Sequence, residues 1–194
     1  MWVALFGLVF FINYLCFVHL GPIKKKEINS KGTVKEDTTP DTDVQWLDKG
    51  YKRYHEGNLI QAVEAFNKAI TLNPKEIKAY LGRGIVLSNM DMYDKAINDY
   101  TTVIALNPDH AEAYNNRGWA YLKKALFDHT IKDCSVALRL NPTMAKAYYT
   151  RAMAYKAQGL LGMSRKDFQK GCELGNDNSC QAYGELSKKK NNAR

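Results

Sequence analysis

Six charged residues recur in the chain at a constant spacing, and their types suit ion pairing or anion binding. Three arginines lie 34 residues apart, and three aspartates follow at the same interval: Arg83, Arg117 and Arg151, with Asp99, Asp133 and Asp167. At the corresponding earlier positions stand Lys49 and Ala65, so arginine and aspartate are missing together. This joint absence favours pairs that join two helices within one repeating unit. The alternative is a basic stripe that binds a ligand.

The residue pattern gives no support to catalytic or metal-binding chemistry. The histidines are scattered, at His19, His55, His110 and His129, and no metal-ligand spacing, nucleophile elbow or phosphate-binding loop occurs. We therefore expect no enzyme activity, no metal and no cofactor. The net charge of +8 could suggest nucleic-acid binding, but lysine runs at 24–26 and 188–190 flank the expected fold. Such terminal runs are usually solvated tails or membrane-surface contacts, so we expect no nucleic-acid partner.

A repeated Leu-Asn-Pro triplet marks the elements that must position these side chains. The triplet occurs at 72–74, 106–108 and 140–142, so successive copies are 34 residues apart. A fixed period of this length indicates a solenoid of short structural repeats. Because proline cannot continue a helix, each triplet predicts a helix end.

Large and small residues occupy separate columns when the chain is aligned on this period. The aromatic columns contain Trp46, Tyr80, Tyr114 and Tyr148, then Phe66, Tyr100, Cys134 and Phe168. The small-residue columns contain Gly50, Gly84, Gly118 and Ala152, then Ala62, Ala96, Thr130 and Ser164. Two antiparallel helices need this arrangement, since a small residue on one helix lets bulk on the other approach closely.

These columns and triplets resemble the tetratricopeptide repeat, a helix-turn-helix unit of 34 residues. The resemblance implies an all-α fold, a right-handed α-solenoid of helix-turn-helix repeats with a C-terminal capping helix. A hydrophobic N-terminal segment precedes it in the sequence. The expected repeats cover about 43–176, with boundaries at 43–76, 77–110, 111–144 and 145–178. A capping helix is expected over 179–190, followed by a tail at 191–194.

The resemblance also implies a concave groove that binds a partner peptide and is lined by the first helix of each repeat. Carried over to this sequence, the lining residues are Leu47, Tyr51, Tyr54, Leu81, Ile85, Asn89, Asn115, Trp119, Lys123, Tyr149 and Met153. Aromatic side chains with sparse polar groups suit peptide recognition, and we expect Tyr51 and Trp119 to be exposed anchors. The alternative is that several of these residues pack against the neighbouring repeat. The residues for clamping a C-terminal carboxylate are mostly missing, so that variant is not expected.

Two cysteines stand where a fourth Asn-Pro would end the array. The segment from Cys172 to Cys180 resembles the helix junction of Sel1-like repeats, in which cysteines at this spacing form a disulfide. The resemblance therefore implies a bond between Cys172 and Cys180. The alternative is a pair of buried thiols in a reducing compartment.

The N-terminal segment 2–20 contains no Lys, Arg, Asp or Glu. As a helix it would reach about 28 Å, close to the thickness of a bilayer core. We favour an uncleaved membrane anchor at 1–20 over a signal peptide, because a basic n-region and a small-residue cleavage site are missing. Polar residues then predict a flexible linker over 21–42. The lysines at 24–26 favour a cytoplasmic location for the repeats, whereas the cysteine pair favours export.

Together these patterns predict a non-catalytic, membrane-tethered scaffold that binds a protein or peptide in its groove. Two alternatives remain open at this point. One is a structural component that assembles a membrane or envelope complex, and the other is a secreted, disulfide-containing Sel1-like factor.

Overall fold

The structure is a computed structural model that describes residues 41–191. Nine α-helices follow one another in this range, and it contains no β-strand. They are α1 (Asp43–His55), α2 (Leu59–Leu72), α3 (Ile77–Asn89), α4 (Tyr93–Leu106), α5 (Ala111–Lys123), α6 (Phe127–Leu140), α7 (Ala145–Ala157), α8 (Leu161–Glu173) and α9 (Asp177–Asn191). Four helix pairs therefore precede a single terminal helix. That helix begins at Asp177, two residues before the expected boundary at 179.

Several expected segments fall outside the described residues. These are the predicted anchor at 1–20, all but the last two residues of the linker at 21–42, and all but the first residue of the tail at 191–194. Between residues 41 and 191, none of the helices has the length and apolar character needed to cross a membrane.

The Leu-Asn-Pro triplets end the second helices of the first three pairs, as the sequence predicts. Each asparagine adopts an extended backbone, with φ of −136° at Asn73, −141° at Asn107 and −137° at Asn141. The following proline disfavours helical geometry at the residue before it. Each asparagine side chain also accepts a hydrogen bond from the backbone N–H two residues later, at 3.1 Å in all three copies. The triplet thus stops one helix and shapes the turn to the next.

The turn within each pair uses one residue with positive φ. Gly57, Asp91, Ala125 and Gly159 occupy this position, with φ between 57° and 79°. Glycine adopts this conformation freely, whereas a residue with a Cβ is disfavoured by about 1 kcal/mol. The third repeat lacks a glycine or aspartate at this position because Ala125 occupies it. The helices on either side impose the turn conformation on Ala125.

The core confirms the predicted packing of bulky residues against small ones. Phe66 of α2 lies against Gly50, where an added Cβ would stand 2.5 Å from the ring. Tyr100 lies in the same way against Gly84, at 2.7 Å. In the later repeats the small column contains Thr130 and Ser164, whose hydroxyls donate to backbone carbonyls across the helix pair at 3.1 and 2.9 Å. These bonds satisfy the polar atoms, so both residues are tolerated at fully buried positions.

The predicted arginine–aspartate pairs are also confirmed. Arg83 donates to Asp99 through Nε at 2.9 Å and through Nη2 at 2.6 Å, and the other two pairs repeat this two-bond geometry. The Asp99 hydrogen bond raises the pKa of Arg83 above its ordinary value. Each arginine also bonds the second helix of the preceding repeat, at Asn67, Thr101 or Ser135. One side chain thereby links three helices.

The helices form two layers with different contacts. The first helices of successive repeats contact each other: for example, α1 contacts α3, and α5 contacts α7. Second helices pack on the first helix of their own repeat and on that of the next, and form no comparable contact with each other between residues 41 and 191. The layer of first helices is therefore continuous, and the layer of second helices is open between repeats.

Candidate peptide-binding groove

The predicted groove residues lie on the continuous layer formed by α1, α3, α5 and α7. Two of the eleven are buried: Leu47 is 8% exposed and Asn115 is 6% exposed. Leu47 belongs to the core cluster around Phe66, and Asn115 bonds Asn116 and Thr150. The structure therefore corrects the sequence interpretation at these two positions, because a ligand in the groove cannot reach them. The other nine are half-buried or exposed.

The N-terminal part of the layer uses its tyrosines to join repeats. The Tyr51 hydroxyl donates to the Lys78 carbonyl at 3.1 Å, and its ring meets Phe66 edge-on with centroids 5.2 Å apart. Burial raises the pKa of Tyr51 above its ordinary value. Asn89 donates to the Tyr54 hydroxyl oxygen at 3.0 Å. Tyr51 is thus half-buried and held between repeats, in contrast to the exposed anchor that we expected from the sequence.

Leu81 and Ile85 form the apolar middle of this part. Both are half-buried on α3, and both pack against the cluster of Leu87, Ala96 and Tyr100. Burial raises the pKa of Tyr100 to about 12, and its hydroxyl lies 3.2 Å from the Ser88 hydroxyl. Each of these apolar side chains therefore packs partly in the core, and only its exposed part can contact a ligand.

The C-terminal part contains Trp119, which, like Tyr51, is half-buried and differs from the exposed anchor that we expected from the sequence. Trp119 is half-buried on α5, and the Lys123 ammonium lies 5.0 Å from its ring centroid. An ammonium at this distance from an indole face is attracted to it, so the two side chains form one unit. Tyr149 and Met153 pack instead against the cluster of Ala152, Phe168 and Leu186, which includes the terminal helix. Trp119 and Lys123 are consequently the predicted residues that the fold uses least.

Comparison with known families agrees with this architecture. Family profiles described as tetratricopeptide repeat match residues 46–76, 65–98 and 145–178, and one described as TPR repeat matches 92–124. The chain contains tetratricopeptide repeats. No curated protein matches the full sequence significantly.

Solved structures share the tetratricopeptide arrangement at low sequence identity. A MamA fragment from Desulfovibrio magneticus RS-1 aligns with a TM-score of 0.70 and 20% identity, over 78% of this chain and 86% of that one. Another MamA crystal structure aligns with a TM-score of 0.66 and 26% identity, over 70% and 80%. The Cut9–Hcn1 hetero-tetramer of APC/C aligns with a TM-score of 0.69 and 19% identity, over 75% of this chain and 30% of that one. These likenesses establish the fold of the repeats.

The structure brings Cys172 and Cys180 together at the end of the tetratricopeptide array. Their Cα atoms are 4.5 Å apart, and a disulfide joins them. Gly175 has φ of 84° and reverses the chain between α8 and α9. Asn176 then accepts hydrogen bonds from the backbone N–H and the hydroxyl of Ser179, both at 2.8 Å, at the start of α9. The Sel1-like character of this junction stays a prediction.

Sequence reasoning missed a second surface, on the opposite layer. The residues 34 positions after Ile60 and Met90 are Asp94 and Lys124, and those another 34 positions on are Asp128 and Gln158. The later residues are bonded in pairs, whereas Ile60 is 68% exposed. In the aligned sequence these two columns are apolar in the first copy and polar in the later ones. Only the structure shows that the two positions face each other.

Proposed function

We propose that the protein is a non-catalytic scaffold that holds a segment of a partner protein on the layer formed by α1, α3, α5 and α7. The observation that carries the proposal is the pair of Trp119 and Lys123. Trp119 is partly exposed and Lys123 is exposed on this layer, while most neighbouring groove side chains pack against other helices. Tryptophan, with tyrosine and arginine, is enriched among the side chains that dominate binding energy in protein interfaces.

Charge indicates the chemistry of the segment. Residues 43–110 contain eight Lys and Arg against nine Asp and Glu, whereas residues 111–190 contain fourteen against seven. Three exposed lysines, Lys123, Lys146 and Lys156, belong to the first helices of the basic half. A segment with an apolar anchor flanked by acidic residues would therefore complement this part of the groove.

Variants on the two layers test this proposal. The full chain, kept in detergent micelles, is titrated with labelled peptides that carry one aromatic residue within an acidic sequence. We expect Trp119→Ala and Lys123→Glu each to weaken binding about tenfold or more, which corresponds to at least 1.4 kcal/mol. Lys132→Glu, an exposed change of the same charge on α6, is the matched control and should retain most of the affinity. A loss in Lys132→Glu as large as that in Lys123→Glu would attribute the lysine effect to net charge. Unchanged affinity in Trp119→Ala, which leaves the charge as it is, would overturn the groove assignment.

We further propose that residues 2–20 tether the scaffold to a membrane and that the repeats face an oxidising compartment. The tether is inferred from the uncharged sequence of this segment, and the side is inferred from the Cys172–Cys180 disulfide. Alkaline extraction of membranes should leave the full chain in the pellet and release a variant that lacks residues 2–20. The intact mass of the mature protein separates an anchor from a cleaved signal peptide. Recovery of a shortened, freely soluble protein would favour the secreted alternative.

A further inference from the structure

The junction between the first two repeats has an apolar opening on the layer of second helices. We call it the outer cleft. It has a volume of about 410 Å³ and lies between α2, α3 and α4. Its apolar lining residues are Ile60, Val63, Leu87, Met90 and Met92. An adjoining hollow of about 460 Å³ shares Ile60 and Met90, so the opening continues toward the turn at Gly57.

The corresponding positions in the later repeats carry polar pairs in place of Ile60 and Met90. Asp94 forms an ion pair with Lys124 across the second junction, and Gln158 donates to Asp128 at 2.7 Å across the third. At the position of Leu87 the later repeats have Tyr121 and Tyr155, whose rings lie 5.9 Å from the guanidinium carbons of Arg117 and Arg151. An open apolar junction is therefore not a requirement of this fold. It is a property of the first junction, and it needs another explanation.

The same chain presents an exposed apolar patch in its fourth repeat. Leu160 precedes α8, and Leu161 and Met163 lie in its first turn; their exposed fractions are 44%, 50% and 48%. We call these three residues the turn patch. They follow the α7–α8 turn, just as Ile60 follows the α1–α2 turn and Met92 follows the α3–α4 turn. In a solenoid the turns within repeats line up along one edge, so the outer cleft and the turn patch share that edge.

We infer that two copies of this chain associate through this edge, with the turn patch of each copy seated in the outer cleft of the other. A twofold axis lets both contacts form at once, since residues that are complementary on one chain then meet reciprocally. The arrangement also places the basic half, 111–190, of one copy beside the near-neutral half, 43–110, of the other. This avoids the repulsion of two basic halves. Glu64 lines the outer cleft, and Lys166 lies one helical turn after Met163, so the two can pair across the interface.

Substitutions borrowed from the chain's own repeats test the inference with little risk to the fold. The full chain is held in mild detergent, and its protein mass per particle is measured by sedimentation as concentration rises. Wild type is expected to pass from one copy to two. Ile60→Asp with Met90→Lys installs the polar pair of the second junction in the outer cleft. Leu160→Asn with Met163→Gln installs the residues of the first repeat in the turn patch. Each double variant is expected to stay at one copy.

A mixing experiment separates this interface from other routes to association. When the cleft variant and the patch variant are mixed, the intact patch of the first can enter the intact cleft of the second. One of the two contacts is restored, so particles with one copy of each are expected, with weaker association than in wild type. Restored association also shows that both variants are folded. Leu72→Gln with Leu106→Gln removes exposed leucines from the ends of second helices, at the opposite edge, and should leave the dimer intact.

Three results would overturn the inference. Wild type could remain at one copy at every concentration. Both double variants could instead associate as wild type does, which would assign self-association to another part of the chain. The mixed variants could also associate no more strongly than either variant does alone. The groove substitutions Trp119→Ala and Lys123→Glu lie outside both the outer cleft and the turn patch, so failure of the dimer and failure of peptide binding are separate outcomes.

Discussion

Arg117 and Asp133 are joined by two hydrogen bonds, from Nε to Oδ2 at 2.7 Å and from Nη2 to Oδ1 at 3.0 Å. The pair links α5 to α6, and the remaining guanidinium nitrogen reaches Thr101 on α4 at 3.0 Å. Both side chains are largely screened from water, with 16% of Arg117 and 6% of Asp133 exposed. The pair therefore sets the register of three helices, and removal of one partner leaves the other without a counter-charge.

The first prediction concerns this pair. Asp133→Ala is expected to lower the free energy of unfolding by about 2–4 kcal/mol, because a partly buried guanidinium loses its partner. Denaturant unfolding followed by circular dichroism measures the change. Asp109→Ala, an exposed change outside the pairs, is the control and should stay within about 0.5 kcal/mol of wild type. An equal, small effect of both substitutions would show that the pair does not stabilise the fold.

The second prediction separates packing from helix propensity. A Cβ at Gly84 would stand 2.7 Å from the Tyr100 ring, whereas a Cβ at Gly184 meets nothing within 4 Å. Alanine favours a helix over glycine by about 1 kcal/mol at either place. Gly84→Ala is nevertheless expected to destabilise by about 1–3 kcal/mol through overpacking. Gly184→Ala should stabilise, by about 0.5–1 kcal/mol. Thermal unfolding of the two variants should give midpoints that shift in opposite directions.

The third prediction concerns pH. Burial raises the pKa of Tyr100 to about 12, from an ordinary value of 10.0. The folded protein therefore holds this proton more tightly than the unfolded chain. The associated stability is complete below pH 10 and is lost as the pH rises from about 10 to 12, at a cost of roughly 2–3 kcal/mol. Tyr100→Phe cannot ionise, so wild type should lose stability relative to this variant across that range. A constant difference between the two from pH 9 to 12 would contradict the assignment.

The fourth prediction concerns the cysteines. Unfolded protein from its normal compartment should react with a maleimide at two more cysteines after reduction than before it, as mass spectrometry can count. Cys134 should react without reduction only once the protein is unfolded, since it is fully buried in the native protein. Cys172→Ser with Cys180→Ser should lower the free energy of unfolding by about 2–3 kcal/mol, through the lost constraint on the short loop. An equal number of reactive cysteines before and after reduction would place the repeats in a reducing compartment.

Much of the architecture could be predicted because it depends on local chemistry. The asparagine and proline of each triplet end a helix wherever they occur, and small residues at a constant period show which faces must approach. The arginine–aspartate pairs were also predictable. The first repeat lacks both the arginine and the aspartate, which indicated that the two residues depend on each other. Ala125 was not predictable in this way, because the turn that it occupies is imposed by the helices on either side.

The burial of the groove side chains could not be predicted from local sequence patterns. The family pattern identifies which helix faces inward, but it does not state how deeply each side chain lies. Leu47 and Asn115 follow the same pattern as Trp119, and they are buried because of the residues that surround them. Tyr149 and Met153 pack against the cluster that contains Leu186 of α9, a helix whose position no single repeat defines.

The sequence by itself determined the 34-residue period, the ends of the helices, the pairing of the arginines and the presence of tetratricopeptide repeats. These properties follow from residue types that act within one repeat or between adjacent ones. The tertiary structure alone decided which inward residues remain accessible, and it alone showed that Ile60 and Met90 leave one junction open. The physical reason is that burial depends on the side chains contributed by neighbouring repeats, whose sizes and polarity differ even where their backbones coincide.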